Sequence, residues 1–127
     1  MALIEHKRLI LKNSKVDWIA YDTNFVDPLD DCITIYCNAA GSYFTDDGYT
    51  KFNLDCFVPN WREKGVVEKI CKRYGCKMKD ENEELQALHG SQLIQAILAI
   101  YAWIEFKDWL YYDQIEEKRG IMRDKGE

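Results

Sequence analysis

The sequence predicts an α+β domain: an antiparallel sheet of three to five strands with helices packed on one face and a long C-terminal helix. Two observations carry this. Residues 32–37 alternate, setting Ile33, Ile35 and Cys37 on one face of a strand; the small-residue turn Asn38-Ala39-Ala40-Gly41 then returns the chain into a short second strand, Ser42 to Thr45. Further on, Leu93, Ile94, Ile97, Leu98, Tyr101, Ile104, Trp109 and Leu110 recur at helical spacing, the stripe of one long buried helix face.

Taken in order, residues 2–12 carry Leu3, Ile4, Leu9, Ile10 and Leu11, a spacing that predicts a short amphipathic helix ending at Asn13-Ser14. Val16 to Tyr21 is aromatic and β-branched, and predicts a strand. Asp27-Pro28-Leu29-Asp30-Asp31 is a turn, because proline presets its φ and aspartate bonds its own backbone. After the second hairpin strand comes the corner Thr45-Asp46-Asp47-Gly48, where Asp46 or Asp47 is suited to accept a backbone N–H at a helix start. Tyr49, Phe52 and Leu54 are expected to face inward from the helix that follows, and Phe57-Val58-Pro59-Asn60 to end it.

Asn60 is the expected cap of a helix from Trp61 to Tyr74, with Val66, Val67, Ile70, Cys71 and Tyr74 on its buried face and Gly75 as C-terminal stop. Cys76 to Lys79 and Leu85 to Leu88 predict a small hairpin across the polar turn Asp80-Glu81-Asn82-Glu83. Ser91 is the expected cap of the last helix. The organisation expected is one domain over residues 1–112 and a charged extension over 113–127.

Bulk composition narrows the function. A net charge of −5 disfavours general binding to a phosphate backbone. Hydrophobic residues make up 47% of the chain, which argues for a packed core. Glu5-His6-Lys7-Arg8 interrupts the start before an apolar leader can form, and the nearly uncharged run 85–104 is broken by His89, Gly90, Gln92 and Gln95. No membrane association and a cytoplasmic location are therefore expected. With five cysteines, an odd count, reduced thiols are the expected state.

Cys32 and Cys37 stand at an odd offset, so on a strand they point to opposite faces and cannot share an ion. Cys71 and Cys76 can approach across a helix end, but as small buried hydrophobes rather than zinc ligands. His6 and His89 have no sequence relationship that brings either to Cys56 or Cys76, so no nucleophilic pair forms. Gly41 and Gly48 are isolated glycines, not a phosphate loop. No catalytic, cofactor-binding or metal residue is assigned, and no cofactor is expected.

Two residue groups are singled out. Asp46, Asp47 and Gly48 form the structural corner; together with Asp30 and Asp31 they gather carboxylates at neighbouring hairpin ends, the oxygen chemistry a divalent ion favours, although turn and cap roles account for all four acids. Trp103, Phe106, Trp109, Tyr111 and Tyr112 exceed what one small core needs, and form the candidate interaction surface or a pairing face for a homodimer.

The order of strand, hairpin, Tyr43-Phe44-Thr45-Asp46-Asp47-Gly48-Tyr49-Thr50, helix, Arg73-Tyr74-Gly75-Cys76, hairpin and Leu93-Ile94-Gln95-Ala96-Ile97-Leu98 resembles a family of small bacterial, phage and mobile-element proteins catalogued as domain of unknown function 1828. The resemblance spans residues 16–105; the cysteine content and the long aromatic, charged C-terminal extension depart from the pattern. It implies no catalytic residues. It implies a phage or mobile-element setting and a protein partner, a host or defence protein. The expected function is a non-enzymatic protein-binding factor, an inhibitor of a bacterial defence complex of the anti-CRISPR or anti-restriction kind. The alternative is a metal-dependent hydrolase or nuclease using Asp30, Asp31, Asp46 and Asp47.

Overall fold

The computed structural model describes residues 4–12, 15–79 and 81–107. Trp109, Leu110, Tyr111, Tyr112, the expected stop at Asn13-Ser14 and the expected extension over 113–127 lie outside the described residues. The fold is α+β: an antiparallel sheet packed with helices, the longest of them C-terminal. The elements in chain order are β1 (Ile4–Lys12), β2 (Lys15–Val26), β3 (Cys32–Asn38), β4 (Phe44–Thr45), α1 (Tyr49–Phe57), α2 (Trp61–Lys64), α3 (Val66–Tyr74), β5 (Lys77–Met78) and β6 (Leu85–Ala87), followed by α4 over residues 90–107.

The sheet has six strands in the order β1-β2-β3-β4-β6-β5, more than the three to five expected. The extra strand is β1. The sequence predicts a helix there, but residues 4–12 pair antiparallel with β2, Arg8 opposite Ala20 and Leu9 opposite Ile19. The side chains of Lys7, Arg8, Leu9 and Ile10 are all exposed. Cross-strand pairing decides the conformation instead, helped by a two-pronged Arg8–Asp22 ion pair with bonds of 2.7 and 2.8 Å.

β3 behaves as its alternation predicts: Ile33, Ile35 and Cys37 are buried. Opposite them, α4 contributes Leu93, Ile94, Ile97, Tyr101 and Ile104, with Ala96 and Ile100 completing its buried stripe. Leu54, Trp61, Val67, Cys71 and Leu85 close the same core. Each large aliphatic side chain buried there contributes about 1.5–3 kcal/mol relative to exposure.

The single helix expected from Trp61 to Tyr74 is two. Gly65 adopts a left-handed conformation (φ 69°) that ends α2 and precedes α3, a geometry only glycine reaches without steric cost. Val67 and Cys71 are buried as expected, and the Gly75 N–H closes α3 on the carbonyls of Cys71 and Lys72. The β5–β6 hairpin forms as predicted. Ser91 is not the cap of α4: the helix already begins at residue 90, and Gln92 Oε1 accepts the His89 N–H at 3.3 Å, the back-reaching half of a capping box.

Candidate functional site

The corner after β4 is built around one carboxylate. Asp46 is 2% exposed. Its Oδ1 accepts the N–H groups of Gly48 (3.0 Å) and Leu85 (2.9 Å), and its Oδ2 accepts that of Thr50 (3.0 Å). One side chain thus ties the end of β4, the first turn of α1 and the start of β6 together. The formal N-cap of α1 is Gly48 at φ 78°, so Asp46 acts on the second helical N–H from two residues ahead, a modified form of the capping expected of it. Asp47 is exposed, with φ 57°. Burial raises the Asp46 carboxyl pKa above its ordinary 3.8, against the hydrogen bonds from Thr50, Leu85 and Gly48, which favour the charged form.

The neighbouring Asp27–Asp31 turn has a second buried acid. Asp27, also 2% exposed, takes the N–H groups of Leu29 (2.8 Å) and Asp31 (3.0 Å), both on Oδ1. Its Oδ2 is buried with no hydrogen-bond partner. The turn is placed by an irregularity in the β2–β3 register between Asp22 and Val26, where buried Thr23 donates to the Ile33 carbonyl at 2.7 Å.

Between the two turns lies a cavity of about 240 Å³, lined by Asp31, Cys32, Ile33, Thr34, Tyr36, Asp46, Asp47, Tyr49, Thr50, Ile97 and Tyr101. Three of the four singled-out acids, Asp31, Asp46 and Asp47, therefore share one wall; Asp30 does not. Thr50, which lines the cavity, and Asn53, which does not, are both fully buried, and Thr50 Oγ1 and Asn53 Oδ1 have no hydrogen-bond partner. Asn53 donates its Nδ2 to the Tyr101 hydroxyl at 3.0 Å. Thr50 Oγ1 lies near the Asp46 carboxylate and the Tyr101 hydroxyl, outside bonding geometry with both. The Tyr49 hydroxyl is likewise near Asp27 and Asp31 without closing a bond to Asp27 Oδ2. Burial pushes the Tyr101 pKa up to about 12, so its hydroxyl keeps its proton near neutrality.

The sequence pattern does not single out Thr50, which lines the cavity, or the buried Asn53 and Asp27. Thr50, Asn53 and Leu54 share the buried side of α1, a face that hydrophobicity alone does not mark. Tyr49 and Phe52, expected inside, are instead 45% and 57% exposed. Their rings pack on each other at 6.1 Å on the outer side of α1, and Leu29 in the adjacent turn is also exposed.

On α4, Trp103 is partly buried and packs against the core, while Phe106 is 53% exposed. The cysteines are free. Cys32 is exposed and Cys37 buried, on opposite faces as the odd offset requires. Burial pushes the Cys71 thiol up to about 11 and that of Cys76 to about 12, so neither supplies thiolate near neutral pH. Both thiols line a wider groove of about 550 Å³ between α2, α3 and the β5–β6 hairpin, whose charges are mixed: Arg62, Lys72, Lys77 and Lys79 beside Glu68 and Glu83. Among the described residues, no group of three or more His, Cys, Asp or Glu side chains is arranged to hold a metal ion, and no helix is long and apolar enough to cross a membrane.

Compared with known proteins, the chain matches no family model, no curated protein and no solved structure.

Proposed function

We propose that this protein is a non-enzymatic factor that works by binding another protein, and that the outer side of α1 is part of the surface it uses. The observation that carries the reading is the exposed Tyr49–Phe52 pair, with the exposed acids Asp31 and Asp47 lining the same cavity as Tyr49. Aromatic side chains supply contact area at low entropic cost, and carboxylates around them favour a basic partner surface. The acid most deeply set in the corner, Asp46, has both oxygens engaged by backbone N–H groups, which supports a structural rather than a reactive role for it. The resemblance of the Thr45-Asp46-Asp47-Gly48 corner to the family named above supports a host or defence protein as partner, and inhibition of it as the outcome. Trp103, Phe106, Trp109, Tyr111 and Tyr112 remain proposed contributors, or the pairing face of a homodimer, which light scattering tests directly.

Affinity capture from host lysate tests the main reading, using the wild-type chain beside a Tyr49→Ala/Phe52→Ala double variant. A partner held by the wild type at moderate salt and lost by the variant supports it. Equal recovery by both removes the α1 surface from the proposal.

A second reading, a metal-dependent hydrolase or nuclease, rests on one observation: Asp31, Asp46 and Asp47 line the same cavity. Calorimetry with magnesium and manganese decides it. Binding that disappears in Asp47→Ala promotes this reading, and the absence of heat retires it.

A further inference from the structure

The sheet face turned away from the core carries a cavity of about 440 Å³, walled by Trp18, Tyr36 and Tyr43 together with Ile10, Asp47 and Glu84. Because Ile33, Ile35 and Cys37 turn inward, Tyr36 turns the other way. Trp18 stands opposite Asn38, two residues from Tyr36, and therefore shares its face; Ile10 stands opposite Trp18. The Trp18 and Tyr43 rings meet edge to face, with centroids 5.9 Å apart and planes at 83°, which makes a right-angled corner. All three aromatic side chains are only half-buried. Two acids supply charge. Thr45 Oγ1 accepts the Asp47 N–H at 3.1 Å and fixes that residue beside the rings. Burial, and after it the Asp47 charge, raises the Tyr36 phenol above its ordinary 10.0. Glu84 accepts from the Asn82 and Gln86 amides at 3.1 and 2.6 Å, both neutral donors, so its charge stays unanswered. Among the described residues no ion pair reaches Asp47 or Glu84, and no cation stands over the three rings. No lysine, arginine or histidine lines the cavity, and Arg8, on the same face, is held by Asp22.

Aromatic rings on an open sheet face also stack the bases of single-stranded nucleic acid, but that mode needs a basic groove, and the charges here are acidic. An ordinary ammonium brings three N–H donors that seek oxygen acceptors. A quaternary ammonium has none, and its charge is carried on methyl surface that suits the faces of aromatic rings. We propose that this cavity binds a quaternary, fully methylated ammonium group, its methyls against Trp18, Tyr36 and Tyr43 and its charge answered by Asp47 and Glu84. The volume of about 440 Å³ lies within the roughly 300–1,000 Å³ of small-molecule sites. The site does not rest on the protein-binding reading, because Tyr49 and Phe52 are not among its lining residues.

The test is an NMR titration of the full chain, read at the Trp18 indole N–H. The probes are choline, its neutral isostere with a tert-butyl group in place of trimethylammonium, and ethanolamine as the unmethylated cation. Saturable shifts are expected with choline, with a dissociation constant on the order of 1 mM. The isostere and ethanolamine are each expected to bind about tenfold more weakly. Tyr43→Leu keeps apolar bulk but removes a ring face; it is expected to weaken choline about fivefold and to leave the isostere unchanged. Asp47→Asn carries the test without touching the ring packing, since asparagine suits the left-handed backbone. It is expected to weaken choline about threefold with an unchanged melting curve. A blocked trimethyllysine amide separates the sources. Tighter binding than choline identifies a modified side chain of another protein, weaker binding a free small molecule, and each upholds the site. Equal affinity for the isostere overturns the proposal by reducing the cavity to an apolar pocket. Ethanolamine binding as tightly as choline overturns it in favour of general charge attraction. No saturable shift with choline overturns it as well.

Discussion

The two acid turns are built alike and resolved differently. Each places one aspartate at 2% exposure and a second at positive φ, Asp30 at 64° and Asp47 at 57°. At the corner, Asp46 spreads three backbone N–H bonds over both of its oxygens. At the other turn, Asp27 collects two on Oδ1 and leaves Oδ2 unmatched. The first arrangement engages both oxygens and joins β4, α1 and β6. The second leaves one carboxylate oxygen buried without a matched donor. The difference teaches that burial of an acid is not by itself a sign of chemistry; what matters is whether its lone pairs are already used.

The largest expected effect of breaking this comparison comes from Asp46→Ala. It strands the N–H groups of Gly48, Thr50 and Leu85 in a buried corner, at roughly 3–5 kcal/mol in total, a large share of the roughly 5–15 kcal/mol that holds such a domain folded. Thermal melting shows it, and a loss under about 1 kcal/mol refutes the tie role. Asp46→Asn sharpens the point. Whichever way the amide is turned, its NH₂ faces a backbone N–H, so about 2–3 kcal/mol is lost although the side chain is isosteric. Asp27→Asn is the counterpart: the carbonyl keeps the Leu29 and Asp31 bonds, and the amide donor falls where no donor stands now. A change within about 0.5 kcal/mol is expected. Equal losses from the two asparagine variants erase the distinction between the turns.

The sequence made the Asp46 turn legible and the Asp27 turn only in outline. Asp46 beside a glycine at a strand-to-helix corner announces capping chemistry, and β3, the Val67–Cys71 face, the Gly75 stop and the β5–β6 hairpin follow from local periodicity and turn residues. Local signals fail where tertiary contacts decide. In β1 the described side chains, Lys7 to Ile10, are all exposed, and its conformation is set by pairing with β2. In α1, hydrophobicity favours Tyr49, Phe52 and Leu54 for the interior; Leu54 is buried, but Thr50 and Asn53 take the inner positions in place of Tyr49 and Phe52. A polar stripe turned inward is visible only once Tyr101, far along the chain, is brought against it by α4.

A pH titration probes the same balance with a smaller effect. Because burial raises the Asp46 carboxyl pKa in the folded chain, the native state holds that proton more tightly than the unfolded chain does. Between the unfolded value and the raised folded one, stability therefore falls as pH rises, and it is level above that window. Asp55 and Glu83 have the opposite sign. The Trp61 indole N–H bonded to Asp55 at 2.8 Å, and the Arg62 guanidinium bonded to Glu83, hold those carboxyls below their ordinary 3.8 and 4.5. Their contribution is present above those values and is lost as pH falls through the depressed ones. Carboxyl-detected NMR is expected to show Asp46 titrating above 3.8 and the other two below their ordinary values. An Asp46 midpoint below 3.8 means that its three N–H bonds outweigh its burial.

The smallest effect separates the turns' backbones from their functions. Asp30 and Asp47 both occupy the left-handed region, which aspartate tolerates and glycine reaches freely. Asp30→Gly and Asp47→Gly relieve that strain but free the unfolded chain, so each is expected to move stability by no more than about 0.5 kcal/mol. The two shifts should match, because both side chains are exposed and the backbone demand is the same. A clearly larger loss for Asp47→Gly shows that its carboxylate contributes to the fold, and the acid is then a structural element rather than part of a recognition surface. Matching small shifts leave the Asp47 charge free for recognition, the condition under which neutralising it weakens the hold on a basic partner surface without disturbing the melting curve.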